Sequence, residues 1–246
     1  MKRWLKAPLQ LPDGTLQERG KGTPQGSAVS PVLANLFLHY AFDIFLEREF
    51  PVVEFERYAD DAVVHCVTER QAREVRDALS LRLAELGLEL HPGKTKIVYC
   101  KDSLRRGEYE TVAFTFLGYA FSPRQVKGKD GKVFTSFTPA MSPEALKAKS
   151  EKVRGWRLHM RTSASLDELA AAINPVVAGW INYYGVYGRK QLNLLLRRVN
   201  TYLTRWARRK YKRLCSYKRF RKWWTGLIDR EPGLLVHWNR ERAFDW

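Results

Sequence analysis

The residues best suited to chemistry are two adjacent carboxylates in the segment Tyr58-Ala59-Asp60-Asp61. Asp favours turns, and the flanking runs are rich in Val, Tyr and Phe, so the pattern predicts a β-hairpin that carries both acids at a sheet edge. Carboxylates are hard oxygen ligands for Mg2+, and two-metal phosphoryl transfer needs them around ions about 3.5 to 4 Å apart. An ordinary Asp-Asp turn has the same local pattern, so the neighbouring elements decide between the two interpretations.

A glycine-rich loop at residues 20–27 precedes this hairpin along the chain. Glycines lack side chains, so the backbone of such a loop can approach a ligand closely. Ser30 and Pro31 then form an N-cap followed by proline, which predicts a helix from there to about Phe50. Its predicted inward face contains Leu33, Leu36, Phe37, Tyr40, Ala41 and Ile44.

One further helix and several strands are predicted after the hairpin. Thr68 and Gln71 have the spacing of a capping box, and the helix that they begin ends at Gly87. Its apolar stripe consists of Val75, Leu79, Leu83 and Leu86. Strands are predicted at residues 88–90, 96–100 and 114–121.

The periodicity becomes wholly helical in the second half of the chain. Residues 122–140 are rich in Lys, Gly and Pro, with a hairpin turn predicted at Asp130-Gly131. Three helices are predicted to follow, starting at Ser142-Pro143, at Ser165 and near Lys190. Pro175 is predicted to kink the second of them or to end its first half. The predicted fold class is α+β: an antiparallel sheet with helices on one face, then an all-α bundle and a basic, aromatic tail.

The net charge of +17 is concentrated in this helical half. Residues 141–246 hold 23 basic and 8 acidic side chains, whereas residues 1–140 hold 20 basic and 18 acidic ones. From Arg189 to Trp224 there are 14 Lys or Arg side chains and no acid, a pattern typical of a surface that binds a polyanion. The predicted RNA-binding residues are Arg205, Arg208, Arg209, Lys210, Lys212, Arg213, Lys218, Arg219, Arg221 and Lys222.

Aromatic side chains alternate with these cations and have two interpretations. Exposed aromatics could stack on unpaired bases, and buried ones would form the core behind a solvated basic face. Their helical spacing favours the core for Tyr202 and Trp206. The other aromatics of the run are Tyr211, Tyr217, Phe220, Trp223 and Trp224.

Some classes of protein are excluded by composition. No apolar run reaches the roughly 18 residues of a membrane span, and the basic N-terminus lacks the apolar core of a signal peptide. The three cysteines, Cys66, Cys100 and Cys215, share no metal-ligand spacing and are predicted to be reduced thiols in a cytoplasmic protein.

The order of motifs resembles the group II intron-encoded reverse transcriptases, also called maturases. The matching segments are Gly22 to Gly26 with Ser30 to Asn35 (motif B), Tyr58 to Asp61 (motif C), Gly87 with Lys94-Thr95 (motif D), Phe116 to Tyr119 (motif E), and Asn174-Pro175 with Gly179 to Tyr184 (the maturase-specific thumb, or domain X). The resemblance implies a partial polymerase palm at 1–122, a linker or hairpin at 123–140, a thumb at 141–215 and a tail at 216–246.

The resemblance also implies an RNA-directed DNA polymerase site with assigned residues. Asp60 and Asp61 would bind Mg2+ and act in catalysis, and Lys94 would stand near the phosphates as a cationic stabiliser or proton donor. Nucleotide and template would lie against Gly22, Pro24, Gln25, Gly26 and Tyr58. The implied partners are intron RNA, whose splicing the protein would assist, an RNA template with a DNA primer, and dNTPs.

One departure from the family pattern lies upstream of the loop. Motif A carries a further metal-binding aspartate, and the candidates Asp13, in a Pro-Asp-Gly turn, and Asp43, on a helix face, lack its Asp-x-x-x-x-Phe-Asp context. We therefore expect Met1 to fall inside the palm of a longer ancestor, and the chain alone to have little polymerase activity. Loss of one well-placed electrostatic group costs about a hundredfold or more in rate. Primer extension with Mg2+ on an RNA template would measure this.

Three functional hypotheses follow. The first is an N-terminally truncated reverse transcriptase and maturase, and the second is a non-enzymatic RNA-binding protein whose palm is only a scaffold. In the third, a separately encoded N-terminal half supplies motif A. A relative of the retron or CRISPR-associated kind is also compatible with motifs B to E, but the Asn174-Pro175 to Tyr184 signature favours the intron family. His237 is predicted to be a surface or packing residue, not a nuclease ligand.

Overall fold

The predicted mixture of helices and antiparallel strands is present in the computed structural model, which describes residues 8–18 and 29–238. The chain divides into two compact units, Met1–Ile97 and Val98–Trp246. Within the described ranges the strands form three small antiparallel sheets and not one continuous sheet. Among the described helices, none combines the length and the apolar character that a bilayer crossing requires.

In its described part, the first unit contains two hairpins, a long interrupted helix and a second long helix. Its elements are β1 (Leu9–Gln10), β2 (Leu16–Gln17), α1 (Ser30–Leu38), a π-helical turn (His39–Asp43), α2 (Ile44–Glu49), β3 (Glu54–Tyr58), β4 (Asp61–His65) and α3 (Glu69–Glu85). Strands β1 and β2 form a small hairpin, in which the Asp13 carboxylate accepts hydrogen bonds from the Thr15 amide and hydroxyl groups. Asp13 is thus a turn residue, as predicted.

The predicted inward face of the α1–α2 helix is only partly correct. The helix does run from Ser30 to Glu49, but Leu36, Phe37 and Tyr40 are exposed. The segment α1 has no buried residue, and the buried residues Ala41, Phe42 and Leu46 lie in the π-helical turn and in α2, so only this later part of the helix packs on the core. The core of the unit is formed by Phe42, Leu46, Val53, Val75 and Leu79.

The helix α3 begins as predicted, at an N-cap made by Thr68. The Thr68 hydroxyl accepts the Gln71 amide hydrogen bond at 3.2 Å, and the Gln71 side chain accepts from the Val67 amide. The strands predicted at 88–90 and 96–100 are not formed. Strands need partners for their backbone groups, and within the described residues no strand pairs with either segment.

The second unit contains one sheet and four α-helices. Its elements are β5 (Phe114–Phe116), β6 (Tyr119–Lys127), β7 (Val133–Met141), α4 (Pro143–Gly155), a 3-10 turn (Leu158–Met160), α5 (Leu166–Tyr184), α6 (Arg189–Lys210), a second 3-10 turn (Lys212–Leu214) and α7 (Tyr217–Arg230). The hairpin predicted at Asp130-Gly131 joins β6 to β7. The segment predicted as one strand at 114–121 is a hairpin, because Leu117 and Gly118 both have positive φ.

Of the segment predicted as a tail, 216–246, the part that the structure describes, to residue 238, contributes to the core instead. Helix α7 buries Phe220, Trp224 and Leu227 against the same cluster as α4, α5 and α6. After it, Leu235 and Trp238 are also buried. The bundle therefore has four helices, since the aromatic side chains of this segment face inward.

The motif residue Asn174 attaches the last described segment to α5. Its side-chain amide donates to the Leu234 carbonyl at 2.9 Å and accepts from the Val236 amide at 3.1 Å. Helix α5 begins at the predicted capping box, in which Ser165 and Glu168 bond reciprocally. It continues through Pro175 to Tyr184, so the proline does not end it.

The ring of His237, predicted to be a surface or packing residue, is fully buried in this unit and is therefore a packing residue. Its Nε2 atom lies 2.7 Å from Asn200 Oδ1, while Nδ1 has no hydrogen-bond partner among the described residues. Burial lowers the pKa of His237 from 6.5 to about 4, because the charged ring would lose its hydration. The ring is therefore neutral in the folded protein at neutral pH.

Acidification is expected to destabilise the second unit through His237. The unfolded ring binds a proton near pH 6.5 but the folded ring only near pH 4, so the stability present above pH 6.5 is lost as the pH falls towards 4. The free energy of unfolding should be about 2 kcal/mol lower at pH 5 than at pH 7. Urea unfolding followed by tryptophan fluorescence measures it, since seven of the eight tryptophans lie in this unit.

The variants His237→Gln and His91→Gln separate this effect from general acid sensitivity. The first should lose most of the difference between pH 5 and pH 7, and the second, which removes an exposed histidine, should retain it. An equal pH dependence in both variants would contradict the assignment.

Candidate functional site

The two candidate carboxylates lie at the tip of the β3–β4 hairpin, as predicted. Tyr58 and Asp61 face each other as the last pair of the ladder, so Ala59 and Asp60 form a two-residue turn. Asp60, Asp61 and Tyr58 are all exposed. The hairpin therefore presents two adjacent carboxylates to the surface.

The turn is held by an arginine that sequence reasoning did not select. The Arg57 guanidinium donates to both carboxylate oxygens of Asp43 at 2.6 Å, to Asn35 Oδ1 at 3.0 Å and to the Ala59 carbonyl at 2.9 Å. Bidentate pairs of this kind fix geometry as well as charge. Arg57 thus connects the turn to α1 and to the π-helical turn.

The carboxylate of Asp43 is already occupied by this contact. The Arg57 hydrogen bonds, with a smaller contribution from His39, hold the pKa of Asp43 below its ordinary value. The same pairing raises the pKa of Arg57. Both side chains are largely buried, with 11% of Arg57 and 16% of Asp43 exposed. Asp43 consequently supports the hairpin, in agreement with its exclusion as a motif A aspartate.

The backbone at Ala59 has a conformation that favours glycine. Its φ is +55°, in the left-handed region that costs an L-residue roughly 1 to 2 kcal/mol. Its carbonyl is the group that Arg57 holds. The hydrogen bond offsets part of the strain and keeps Asp60 at the tip of the turn.

The remaining predicted residues of the polymerase site are Lys94 and four residues of the loop before α1. Lys94 is exposed in the turn after His91, and in the described part of the chain no hydrogen bond or ion pair joins it to Asp60 or Asp61. The predicted loop residues Gly22, Pro24, Gln25 and Gly26 lie outside the described residues. The helix that follows this loop begins at Ser30, as predicted.

The basic residues of the second unit form an exposed surface on α6, the second 3-10 turn and α7. Nine of the ten predicted residues are exposed, and Lys210 is half-buried. The Lys210 ammonium group donates to the Ala164 carbonyl at 2.5 Å and lies over the Trp206 and Tyr211 rings. Lys210 is therefore better explained as a structural residue, and the other nine remain candidates for binding.

The aromatic side chains of the run are mostly buried behind these cations. Trp206, Phe220 and Trp224 are at most 4% exposed, and Tyr211 and Trp223 are half-buried. Tyr217, at 55%, is the exposed one among the aromatics of residues 202–224. The surface is therefore mainly cationic, and phosphate groups are its most suitable ligands.

Comparison with known families agrees with this geometry. The family model described as reverse transcriptase (RNA-dependent DNA polymerase) matches residues 1–121, and the group II intron, maturase-specific domain matches residues 146–224. The chain belongs to the group II intron reverse transcriptase/maturase family. A comparison with curated proteins found no match.

Reverse transcriptases use divalent metal ions, and the hairpin offers part of a suitable donor set. Asp60 and Asp61 provide exposed carboxylate oxygens, the ligand type that hard divalent cations prefer. Among the described residues, no three His, Cys, Asp or Glu side chains lie close enough to hold a metal ion together. The described residues fit the metal in donor chemistry but do not make a complete site.

The maturase signature at Asn174 to Tyr184 proves to be largely structural. Trp180, Ile181 and Tyr184 are buried, and the Tyr183 hydroxyl donates to the Leu117 carbonyl at 2.7 Å. A Cβ atom on Gly118 would lie 2.8 Å from the Tyr184 hydroxyl, so the close packing of the two requires glycine here. The signature thus packs α5 against the β5–β6 turn that resembles motif E.

Proposed function

We propose that this chain binds group II intron RNA through the basic surface of its second unit and thereby assists intron folding and splicing. The observation that carries the proposal is the run from Arg189 to Trp224, which holds 14 basic side chains and no acid. Within the described residues, the ion pairs of the protein do not involve this run. Apart from Lys210, whose ammonium group is bonded within the protein, its charges are therefore available to phosphate groups.

We further propose that the β3–β4 hairpin is the catalytic tip of an RNA-directed DNA polymerase. Asp60 and Asp61 would bind Mg2+, which, when bound, would stabilise charge on the transferring phosphoryl group. Arg57, itself bonded to Asp43, holds the turn through the Ala59 carbonyl, and both carboxylates are exposed to solvent. Lys94, Tyr58 and the loop residues Gly22, Pro24, Gln25 and Gly26 are proposed to contact dNTP, RNA template and DNA primer.

The RNA-binding proposal is tested by removing three exposed cations from one face of α7. In Lys218→Gln/Arg221→Gln/Lys222→Gln, affinity for structured RNA should fall at least about tenfold. The slope of log affinity against log salt should become shallower by about 2 to 3. Filter binding across a salt series measures both quantities.

Two control variants make this experiment specific. The variant Lys127→Gln/Lys129→Gln/Lys132→Gln removes the same charge from the β6–β7 hairpin, so it should keep nearly wild-type affinity. Asp60→Ala should also bind RNA normally, because binding is proposed to reside in the second unit. Equal losses in the α7 and hairpin variants would mean that net charge alone governs binding.

The non-catalytic RNA-binding protein and the split enzyme remain the alternatives. DNA synthesis that requires Asp60, by the chain alone or with an added N-terminal half, would support a polymerase. RNA binding and splicing assistance that are both unaffected by Asp60→Ala, without synthesis in any mixture, would support the non-catalytic alternative.

A further inference from the structure

A cleft between helices α4 and α6 lies beside the basic surface described above and shares Arg205 with it. Its volume is about 530 Å³, and it opens to the protein surface. The charged and aromatic side chains that line it are Lys147, Glu151, Arg154, Arg198, Tyr202 and Arg205. Three of the four cations lie outside the segment 205–222 that the sequence predicts to bind RNA.

The lining residues have the same spacing on both helices. Lys147, Glu151 and Arg154 follow at i, i+4 and i+7 on α4, as Arg198, Tyr202 and Arg205 do on α6. Residues with this spacing lie on one face of a helix. Two matching faces therefore form the walls, and the cations of each wall are about 10 Å apart along the helix axis.

The cleft has an excess of positive charge that the protein does not neutralise. It contains four cations and the single acid Glu151, and among the described residues none of the five forms an ion pair or a hydrogen bond with another side chain. Arg205 lies over the Tyr202 ring, 5.5 Å from its centroid. Unpaired cations that face each other across a cleft repel until an anion enters.

The separation of the charges indicates an extended ligand. A single phosphate group is small beside the roughly 10 Å that separates the backbone positions of the two cations on each wall, whereas a nucleic-acid strand presents phosphates in series. We propose that this cleft binds the phosphodiester backbone of RNA, as a second contact separate from the α7 surface. This inference rests on the proposed RNA-binding function and adds a specific site to it.

Removal of the three cations outside the predicted basic segment tests the proposal. The variant Lys147→Gln/Arg154→Gln/Arg198→Gln should lower affinity for structured RNA about tenfold and make the salt slope shallower by about 2 to 3. The charge-matched β6–β7 hairpin variant should change neither quantity. RNA should also protect the Lys147 amine, but not that of Lys129, from acetylation in the wild-type protein.

The acid in the cleft provides a test in the opposite direction. Glu151→Gln removes the single repulsive charge, so RNA should bind severalfold more tightly than to wild type. Glu110→Gln, an exposed acid of the same unit, serves as the matched control and should leave affinity unchanged. A general loss of folding cannot produce tighter binding.

The remaining outcomes are also decisive. If wild type binds RNA but Lys147 stays unprotected and the Glu151→Gln affinity is unchanged, the cleft proposal is wrong and the α7 proposal stands. If ATP or pyrophosphate protects Lys147 as well as RNA does, the cleft is a small-anion site and the proposed strand contact is wrong. If wild type does not bind RNA at all, the proposed function is wrong and the cleft proposal is wrong with it.

Discussion

Replacement of Arg57 by Ala is expected to lower the free energy of unfolding of the first unit by about 3 kcal/mol. Breaking a buried ion pair costs about 3 to 5 kcal/mol because it leaves one charge without a partner. The lower end applies since the Arg57 and Asp43 side chains keep 11% and 16% of their surface exposed. The hydrogen bonds to Asn35 and to the Ala59 carbonyl are lost at the same time.

The damage should concentrate at the turn that carries the candidate carboxylates. Without the guanidinium, the Ala59 carbonyl loses the contact that helps to hold its left-handed φ. Hydrogen exchange of the segment 54–65, followed by mass spectrometry, should therefore be much faster in Arg57→Ala than in wild type. The exposed residue Arg48 gives a matched control, since Arg48→Ala should change stability by less than about 0.5 kcal/mol.

The double variant Arg57→Ala/Asp43→Ala identifies the source of the loss. If the cost comes mainly from an uncompensated carboxylate, removal of Asp43 as well should restore part of the stability. Arg57→Lys should recover little, because an ammonium group cannot donate to two carboxylate oxygens and two further acceptors in fixed directions. Additive losses in the double variant would show that Arg57 acts on the turn alone.

Local sequence patterns predict the parts of this site that depend on a few neighbouring residues. The Asp-Asp turn between β-prone runs, the capping residues Thr68 and Ser165, and the Asp130-Gly131 turn all act over a few residues, and all occur where predicted. The Arg57–Asp43 contact joins residues 14 positions apart. No local periodicity encodes such a contact, so it appeared only in the structure.

The helical half shows the same limit in another form. The stripe of α6 was predicted correctly, because Leu192, Leu195, Leu196, Val199 and Leu203 repeat at helical spacing and are buried. The composition of the segment from residue 216 predicts a basic, aromatic tail. The helix α7 in this segment is amphipathic, with exposed cations on one face and Phe220 and Trp224 on the other. Because these two aromatic side chains are buried, the helix is part of the core.

Replacement of Gly188 by Ala should destabilise the second unit by about 4 kcal/mol. Its φ is +58°, which costs an L-residue about 1 kcal/mol or more. A Cβ atom there would lie 2.4 Å from Ala140 Cβ and 2.7 Å from Ala140 Cα. Ala140 is fully buried on β7, so the strand or the start of α6 must move, at an overpacking cost of about 1 to 3 kcal/mol.

The same substitution at Gly179 should have the opposite effect and so controls for the chemistry of Gly→Ala. Gly179 is exposed within α5, and a Cβ there meets no atom within 4 Å, so Ala should stabilise the helix by up to about 1 kcal/mol. Urea unfolding followed by tryptophan fluorescence compares the two variants. The rescue variant Gly188→Ala/Ala140→Gly removes the 2.4 Å contact and should recover part of the loss, whereas no recovery would mean that the left-handed φ of Gly188 and the remaining 2.7 Å approach to Ala140 Cα dominate. Helix α6, which begins directly after Gly188, supplies one wall of the cleft and part of the basic surface. A shift of its N-terminus should therefore also weaken RNA binding in Gly188→Ala and not in Gly179→Ala.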